Sequence, residues 1–230
     1  MRSIHGSIHA VYHLSSGERA AQLNLAPAYQ PAPGQYLQVG EMTGPQAAHS
    51  QLLFPFGLAD ERHGQLLGPI PDHWIPGTRL ELRGPLGKGF QLPASGLRLG
   101  LATLGSSPSR LLPLIPNALQ TGSDLVLFSE PPYPELPAAV EIQPLAALPE
   151  NLVWADLLLL ALPVEELPNL RRQLNLEPHQ RVPGRIQVLI EIPMPCAGLG
   201  ECGVCAISAR RGYYLACQDG PVFDLADLDW

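Results

Sequence analysis

All four cysteines of the chain fall within 22 residues near its C-terminal end, as Cys196-x5-Cys202-x2-Cys205-x11-Cys217. Thiols so close in sequence can converge on one centre. Three clustered ligands and a more distant fourth follow the plant-type [2Fe–2S] spacing C-x4-C-x2-C…C, with one extra residue in the first gap. Ala197, Gly198, Gly200 and Gly203 interleave the thiols. The sulfurs of a cluster need the backbone to approach closely and aim N–H groups at them, which larger side chains would obstruct. Two other uses of four cysteines compete with this one. Disulfides belong to oxidising compartments, and the start of the chain, MRSIHGSIHAVYHLSSG, shows no basic stretch followed by an apolar core that would mark it for one. Zinc held by four cysteines is the closer rival, although its usual form has two C-x2-C pairs and this sequence has one.

At 230 residues the chain is too long for one small ferredoxin-like module and fits two or three compact units. Hydrophobic residues make up 46% and charged ones 15%, which predicts a sizeable core and excludes disorder. The net charge is −7, so the composition favours neither nucleic acid nor an anionic membrane as a partner. The longest apolar run, Leu157–Val164, is interrupted by Pro163 and falls far short of the ~20 residues of a membrane span. A cytoplasmic protein with no membrane contact is expected.

Twenty-six prolines punctuate the chain and divide it. Short apolar-alternating segments at Ser7–His13, Ala20–Leu25, Gly34–Val39, Gln51–Phe56 and Arg79–Arg83, separated by Gly/Pro turns, predict a small antiparallel barrel. From Leu97 the rhythm becomes strand, turn, helical stretch. Strands are predicted at Leu97–Leu104, Leu125–Ser129, Leu152–Leu162 and Ile186–Ile192, and helices at Pro108–Leu119, shortened by Pro113 and Pro116, and at Val164–Leu176. The expected fold is therefore a β-barrel over residues 1–95, an α/β parallel-sheet domain over 96–184 and a small cysteine-rich domain over 185–230.

The tail Glu191-Ile-Pro-Met-Pro-Cys196-Ala-Gly-Leu-Gly-Glu-Cys202-Gly-Val-Cys205, then Leu215-Ala-Cys217-Gln-Asp-Gly-Pro-Val-Phe223-Asp, resembles the electron-transfer subunit of bacterial dihydroorotate dehydrogenase. The Asp219-Gly-Pro-Val-Phe223 run after the last cysteine is the specific part. Upstream, Pro33-Gly34-Gln35-Tyr36 resembles the Pro-Gly-Gln-Phe strand of that family's flavin barrel. Gly84-Pro85-Leu86-Gly87-Lys88-Gly89-Phe90 resembles its Gly-Pro-Leu-Gly-x-Gly-Phe strand end. The resemblance implies a ferredoxin-reductase-like fold in which an FAD barrel, a nicotinamide-binding α/β domain and a C-terminal [2Fe–2S] domain pass electrons from NADH to a flavin in a partner catalytic subunit. On that reading Cys196, Cys202, Cys205 and Cys217 are cluster ligands. Gly84, Pro85, Gly105 and Pro108 fall in the family's flavin and nucleotide motifs, and a flavoprotein partner is expected, with a homodimer also compatible.

The departures bear on FAD and NAD. Relatives carry an Arg-Pro-x-Ser-Ile type motif whose arginine and hydroxyl hold the flavin phosphate, where this chain has Phe54-Pro55-Phe56-Gly57-Leu58. A pyrophosphate in such a site loses charge-assisted hydrogen bonds of about 1.5–3 kcal/mol each. The family's Gly-Gly-x-Gly-x-Ala-Pro nucleotide turn reads Ala102-Thr-Leu-Gly105-Ser-Ser-Pro108, and its Cys-Gly-Pro beside the nicotinamide reads Ala161-Leu162-Pro163. FAD held in the family's manner is in doubt on these grounds, and NAD more so. Ser106 or Ser107 with Pro108 also suits a purely structural helix start. His5, His9 and His13 share one face of the first strand, a spacing that serves either a metal or, more commonly, a solvated surface. Val222, Phe223, Leu225 and Leu228, at near-helical spacing, predict a tail packed on the cysteine domain.

Overall fold

The computed structural model of the protein describes residues 4–42, 50–131, 135–177, 180, 182–196 and 198–230. Ala197, within the cysteine loop, and His49 and His179 lie outside the described residues. Strands β1 (Ile4–His13), β2 (Arg19–Leu23), β3 (Tyr36–Glu41), β4 (Ser50–Pro55), β5 (Leu66–Gly68) and β6 (Arg79–Leu86) close into an antiparallel barrel in the order β1-β2-β5-β4-β3-β6. Alternation drives the closure: along β6 Leu80 and Leu82 turn inward while Arg79 and Glu81 face solvent. Ile8, Leu37, Val39, Leu53, Leu67, Leu80 and Leu82 fill the interior with Trp74, whose indole N–H donates to the Glu41 carboxylate at 2.6 Å. His5, His9 and His13 lie exposed along β1, whose pairing with β2 is broken by a bulge between Ile8 and Ala10. They behave as a solvated face.

The second layer is a six-stranded sheet built from β7 (Arg98–Thr103), β8 (Asp124–Phe128), β9 (Val140–Gln143), β10 (Leu157–Pro163) and β11 (Arg185–Glu191), all parallel, and β14 (Val222–Asp224), which pairs antiparallel to β11. The order is β14-β11-β10-β7-β8-β9. β10 runs leucine after leucine because both of its faces are covered. Leu158, Leu160 and Leu162 enter one apolar cluster, and Leu157, Leu159 and Ala161 enter the other. The strand expected from Leu152 starts only at Leu157, since Leu148–Asn151 forms a short helical turn. The division expected at residue 185 falls at the first residue of β11, which is a full member of the sheet, in register with β10 from Leu157↔Arg185 to Pro163↔Glu191.

Prolines keep the helices short. The helix expected over 108–119 breaks into 3₁₀ turns at Pro108–Arg110 and Leu112–Leu114 and a six-residue helix, Ile115–Gln120. That expected over 164–176 becomes a 3₁₀ stretch, Val164–Asn169, containing Pro168, and one helical turn, Leu170–Gln173. Proline lacks the N–H that an interior helical position must donate.

Between β11 and β14 the chain leaves the sheet, carries the cysteines, forms the hairpin β12 (Ala206–Ser208) and β13 (Tyr213–Leu215), and returns through the turn Ala216–Asp219. The tail packs on the cysteine domain as expected, although not as a helix. Val222 and Phe223 are strand residues, and Leu225 and Leu228 flank a 3₁₀ turn, all four buried. The barrel is stitched to this tail at Lys88, whose N–H donates to the Gly220 carbonyl at 2.5 Å and whose carbonyl accepts from Val222 N–H at 3.4 Å.

Candidate metal centre

The cysteine loop folds back on itself through three glycines with left-handed backbone: Gly198 (φ +91°), Gly200 (+74°) and Gly203 (+69°). This brings the thiols together in two pairs. Cys196 lies within hydrogen-bond reach of Cys202, and Cys205 within reach of Cys217, with the Cys196 charge also felt at Cys217. Among the described residues no three His, Cys, Asp or Glu side chains gather tightly enough to surround a single metal ion. The pairs occupy different environments, since Cys205 and Cys217 are buried at 1% and 2% exposure while Cys196 is half-buried and Cys202 exposed.

Backbone N–H groups converge on the sulfurs. Partial burial pushes the Cys196 thiol up, but the Cys202 thiol and the N–H groups of Gly200, Cys202 and Glu201 outweigh it and bring its pKa down to about 6. Cys217 is pushed up to about 12 by burial first, then by the Cys205 thiol and the charges of Cys205 and Cys196, against the N–H of Gly198. A cation at the site must therefore displace the Cys217 proton.

Two barrel residues lean onto the loop. Tyr36 donates its hydroxyl to the Cys217 carbonyl at 3.1 Å, and burial, followed by the charges of Cys217 and Cys205, holds its phenol well above the usual range. A Cβ on Gly198 would lie 3.5 Å from that hydroxyl and 3.4 Å from Arg83 Nη2. At Gly200 the nearest atom to such a Cβ is Gln218 Nε2, the end of an exposed side chain that can swing away, so positive φ rather than crowding sets the constraint there. Gly200→Ala is expected to cost about 1–2 kcal/mol of local stability. Thermal unfolding of the iron-loaded protein checks this, and an unchanged midpoint would remove φ as the reason for glycine.

The other motif residues go elsewhere. Gly84 (φ +145°) sits in the barrel wall, where an added Cβ would come within 2.7 Å of Leu37 and 3.0 Å of the Tyr36 carbonyl. Its neighbour Pro85 lies in β6 beside it. Packing alone would require glycine at 84. Gly105 and Pro108 instead line a cleft of about 880 Å³ between barrel and sheet, together with Ser106, Ser107 and Ser109. Three charged residues border it, Asp60, Glu130 and Glu135, and among the described residues no lysine or arginine does.

Where relatives would hold a flavin phosphate, Phe54 and Phe56 are buried, 4% and 2% exposed. A cation stands beside the first of these rings. Arg110, from the other layer, lays its guanidinium 4.2 Å over the Phe54 ring and 3.7 Å from a Glu191 oxygen. Burial lowers the Arg110 pKa while Glu191 and Glu18 support its charge. No periodicity flags Arg110, because its partners lie in three different elements.

Residues 191–229 match the family described as the iron–sulfur cluster binding domain of dihydroorotate dehydrogenase B. No curated protein sequence matches the chain. Among solved structures it is similar to an NADH-dependent reduced ferredoxin-NADP oxidoreductase (15% identity, TM-score 0.71, covering 98% of this chain and 90% of that one). It is also similar to a ferredoxin NADP+ reductase from Neisseria gonorrhoeae with bound FAD and NADP (14%, TM-score 0.55, 83% and 99%). A third is the ferredoxin reductase in carbazole 1,9a-dioxygenase (17%, TM-score 0.57, 76% and 65%). These likenesses show the fold. Residues 191–229 thus match an iron–sulfur cluster binding domain, and the chain as a whole shares the fold of these reductases.

Proposed function

We propose that the protein is a one-electron carrier whose Cys196, Cys202, Cys205 and Cys217 hold a [2Fe–2S] cluster, on a reductase scaffold whose FAD and NAD sites are altered. The pairing of the thiols carries this reading. A dinuclear cluster takes two protein thiolates at each iron, which suits Cys196 with Cys202 and Cys205 with Cys217. Mononuclear zinc needs all four in one tetrahedral shell. The donor set and the N–H groups of Gly198, Gly200, Glu201 and Cys202 fit the cluster, which when bound supplies a one-electron couple tuned by those hydrogen bonds and by exposure.

Exposure separates the two pairs. Cys205 and Cys217 are buried in the same apolar cluster as Tyr36, Phe54 and Phe223. Cys202 is exposed, flanked by Leu199 and Val204, both more than half exposed. An apolar rim around the exposed ligand suits docking of a partner protein, and a flavoprotein catalytic subunit is the partner that the family match favours. Anaerobically prepared protein should be reddish-brown and give, on reduction, an axial or rhombic half-integer-spin EPR signal. A colourless protein with one zinc per chain would refute the proposal.

The full FAD- and NAD-dependent subunit is the second reading, and Arg110 is the observation in its favour, since it brings a cation to the place vacated by the family's arginine. Its engagement with Glu191 and the Phe54 ring weighs against it.

A further inference from the structure

In a parallel sheet that grows outward from its first strand in both directions, the crevice at the carboxyl ends of the two strands at the reversal point is where ligands bind. The first strand–helix turn there seats phosphate. Here the chain fills β7, β8 and β9 to one side and β10 and β11 to the other, so the crevice lies between the ends of β7 and β10. Gly105, on the turn after β7, faces Pro163 and Glu166 across it. The place is already taken. Glu18, on the β1–β2 hairpin of the barrel, reaches over, and one of its carboxylate oxygens accepts from the hydroxyls of Ser107 at 2.6 Å, Ser109 at 2.7 Å and Ser16 at 2.7 Å. Ser107 is the residue that caps this turn, its hydroxyl accepting from the Ser109 N–H at 3.3 Å.

We infer that Glu18 is a built-in occupant of this phosphate seat. Its carboxylate takes the donors that a nucleotide phosphate would use, closes the crevice to nicotinamide nucleotides and latches the barrel to the α/β layer. A phosphate arriving beside it would meet a like charge, with Asp60, Glu130 and Glu135 on the same cleft, while the basic groups nearby are already engaged, His63 with Asp60 at 2.7 Å and Arg110 with Glu191 at 3.7 Å and with the charge of Glu18 itself. This inference rests on the altered nucleotide site of the proposed function, and the cysteine centre does not enter it.

The test uses full-length, cluster-loaded protein, with inorganic pyrophosphate and NADH as probes at matched ionic strength. Pyrophosphate should leave the wild-type unfolding midpoint unmoved. Glu18→Ala should unfold at lower temperature and regain part of the loss when pyrophosphate is added. Glu18→Gln keeps an acceptor oxygen without the charge, so it should fold like wild type yet bind pyrophosphate or NADH about tenfold more tightly, or better. The inference is overturned if wild type binds NADH as tightly as Glu18→Gln, or if neither variant gains any response to either probe. Iron and sulfide content of the same preparations reports separately on the electron-carrier reading.

Discussion

Replacing Cys217 with serine is expected to remove the cluster and much of the stability of the C-terminal segment, whereas Cys202→Ser should remove the cluster and leave the apoprotein fold nearly intact. The difference follows from position. Cys217 is buried, its carbonyl accepts the Tyr36 hydroxyl, and its turn leads directly into the cluster that holds Phe223. A serine there buries a hydroxyl, which is costlier to desolvate than a thiol, beyond the loss of metal–ligand energy that is coupled to folding. Cys202 is exposed, so its hydroxyl meets water. Iron and sulfide analysis with unfolding midpoints of both variants checks this. Full metal content in Cys202→Ser would contradict its role as a ligand, and equal midpoints would contradict the assignment of Cys217 as an inner one.

The second large effect concerns flavin. Loss of an arginine and a hydroxyl at the phosphate removes two charge-assisted hydrogen bonds of about 1.5–3 kcal/mol each. FAD affinity should then fall by about 10²- to 10⁴-fold relative to a site that keeps both. A cavity of about 530 Å³ remains among residues that include Phe54, Arg110, Pro163, Glu191 and Met194. Arg110 restores a cation only by giving up Glu191 and its stacking on Phe54. The expected result is protein that emerges from desalting without flavin after anaerobic incubation in excess FAD, measured by fluorescence after denaturation. Stoichiometric flavin would show that Arg110 does take the role of the missing arginine and would favour the second reading.

The barrel and the sheet were legible in the sequence because their signals are local. Period-two alternation marks β1 and β6, and an unbroken leucine run marks β10 as covered on both faces. β5 and β14, three residues each, carry too few positions for a period to register, and they exist only through partners far along the chain. The same limit applied to function. The thiols, close in sequence and interleaved with glycine, pointed to a metal centre, though not to their arrangement in two pairs. Glu18 and Arg110 gave no sign, since each acts on residues more than 50 positions away, Ser107 and Ser109 for the first and Phe54 for the second. Gly84 is ambiguous in sequence, for a glycine needed to pack against Tyr36 and Leu37 looks the same there as one needed to admit a cofactor.

β14 has a consequence beyond the sheet it completes. It lies on the outside of β11, the most apolar edge the sheet would otherwise present, with Ile186, Val188, Leu189 and Ile190 all buried. A bare edge of that kind templates pairing between chains. Three residues have little hold of their own, and the backbone of Lys88, bonded to Gly220 and Val222, helps to keep them there. Whatever loosens the tail from the barrel at Lys88 would therefore also open an edge prone to self-association.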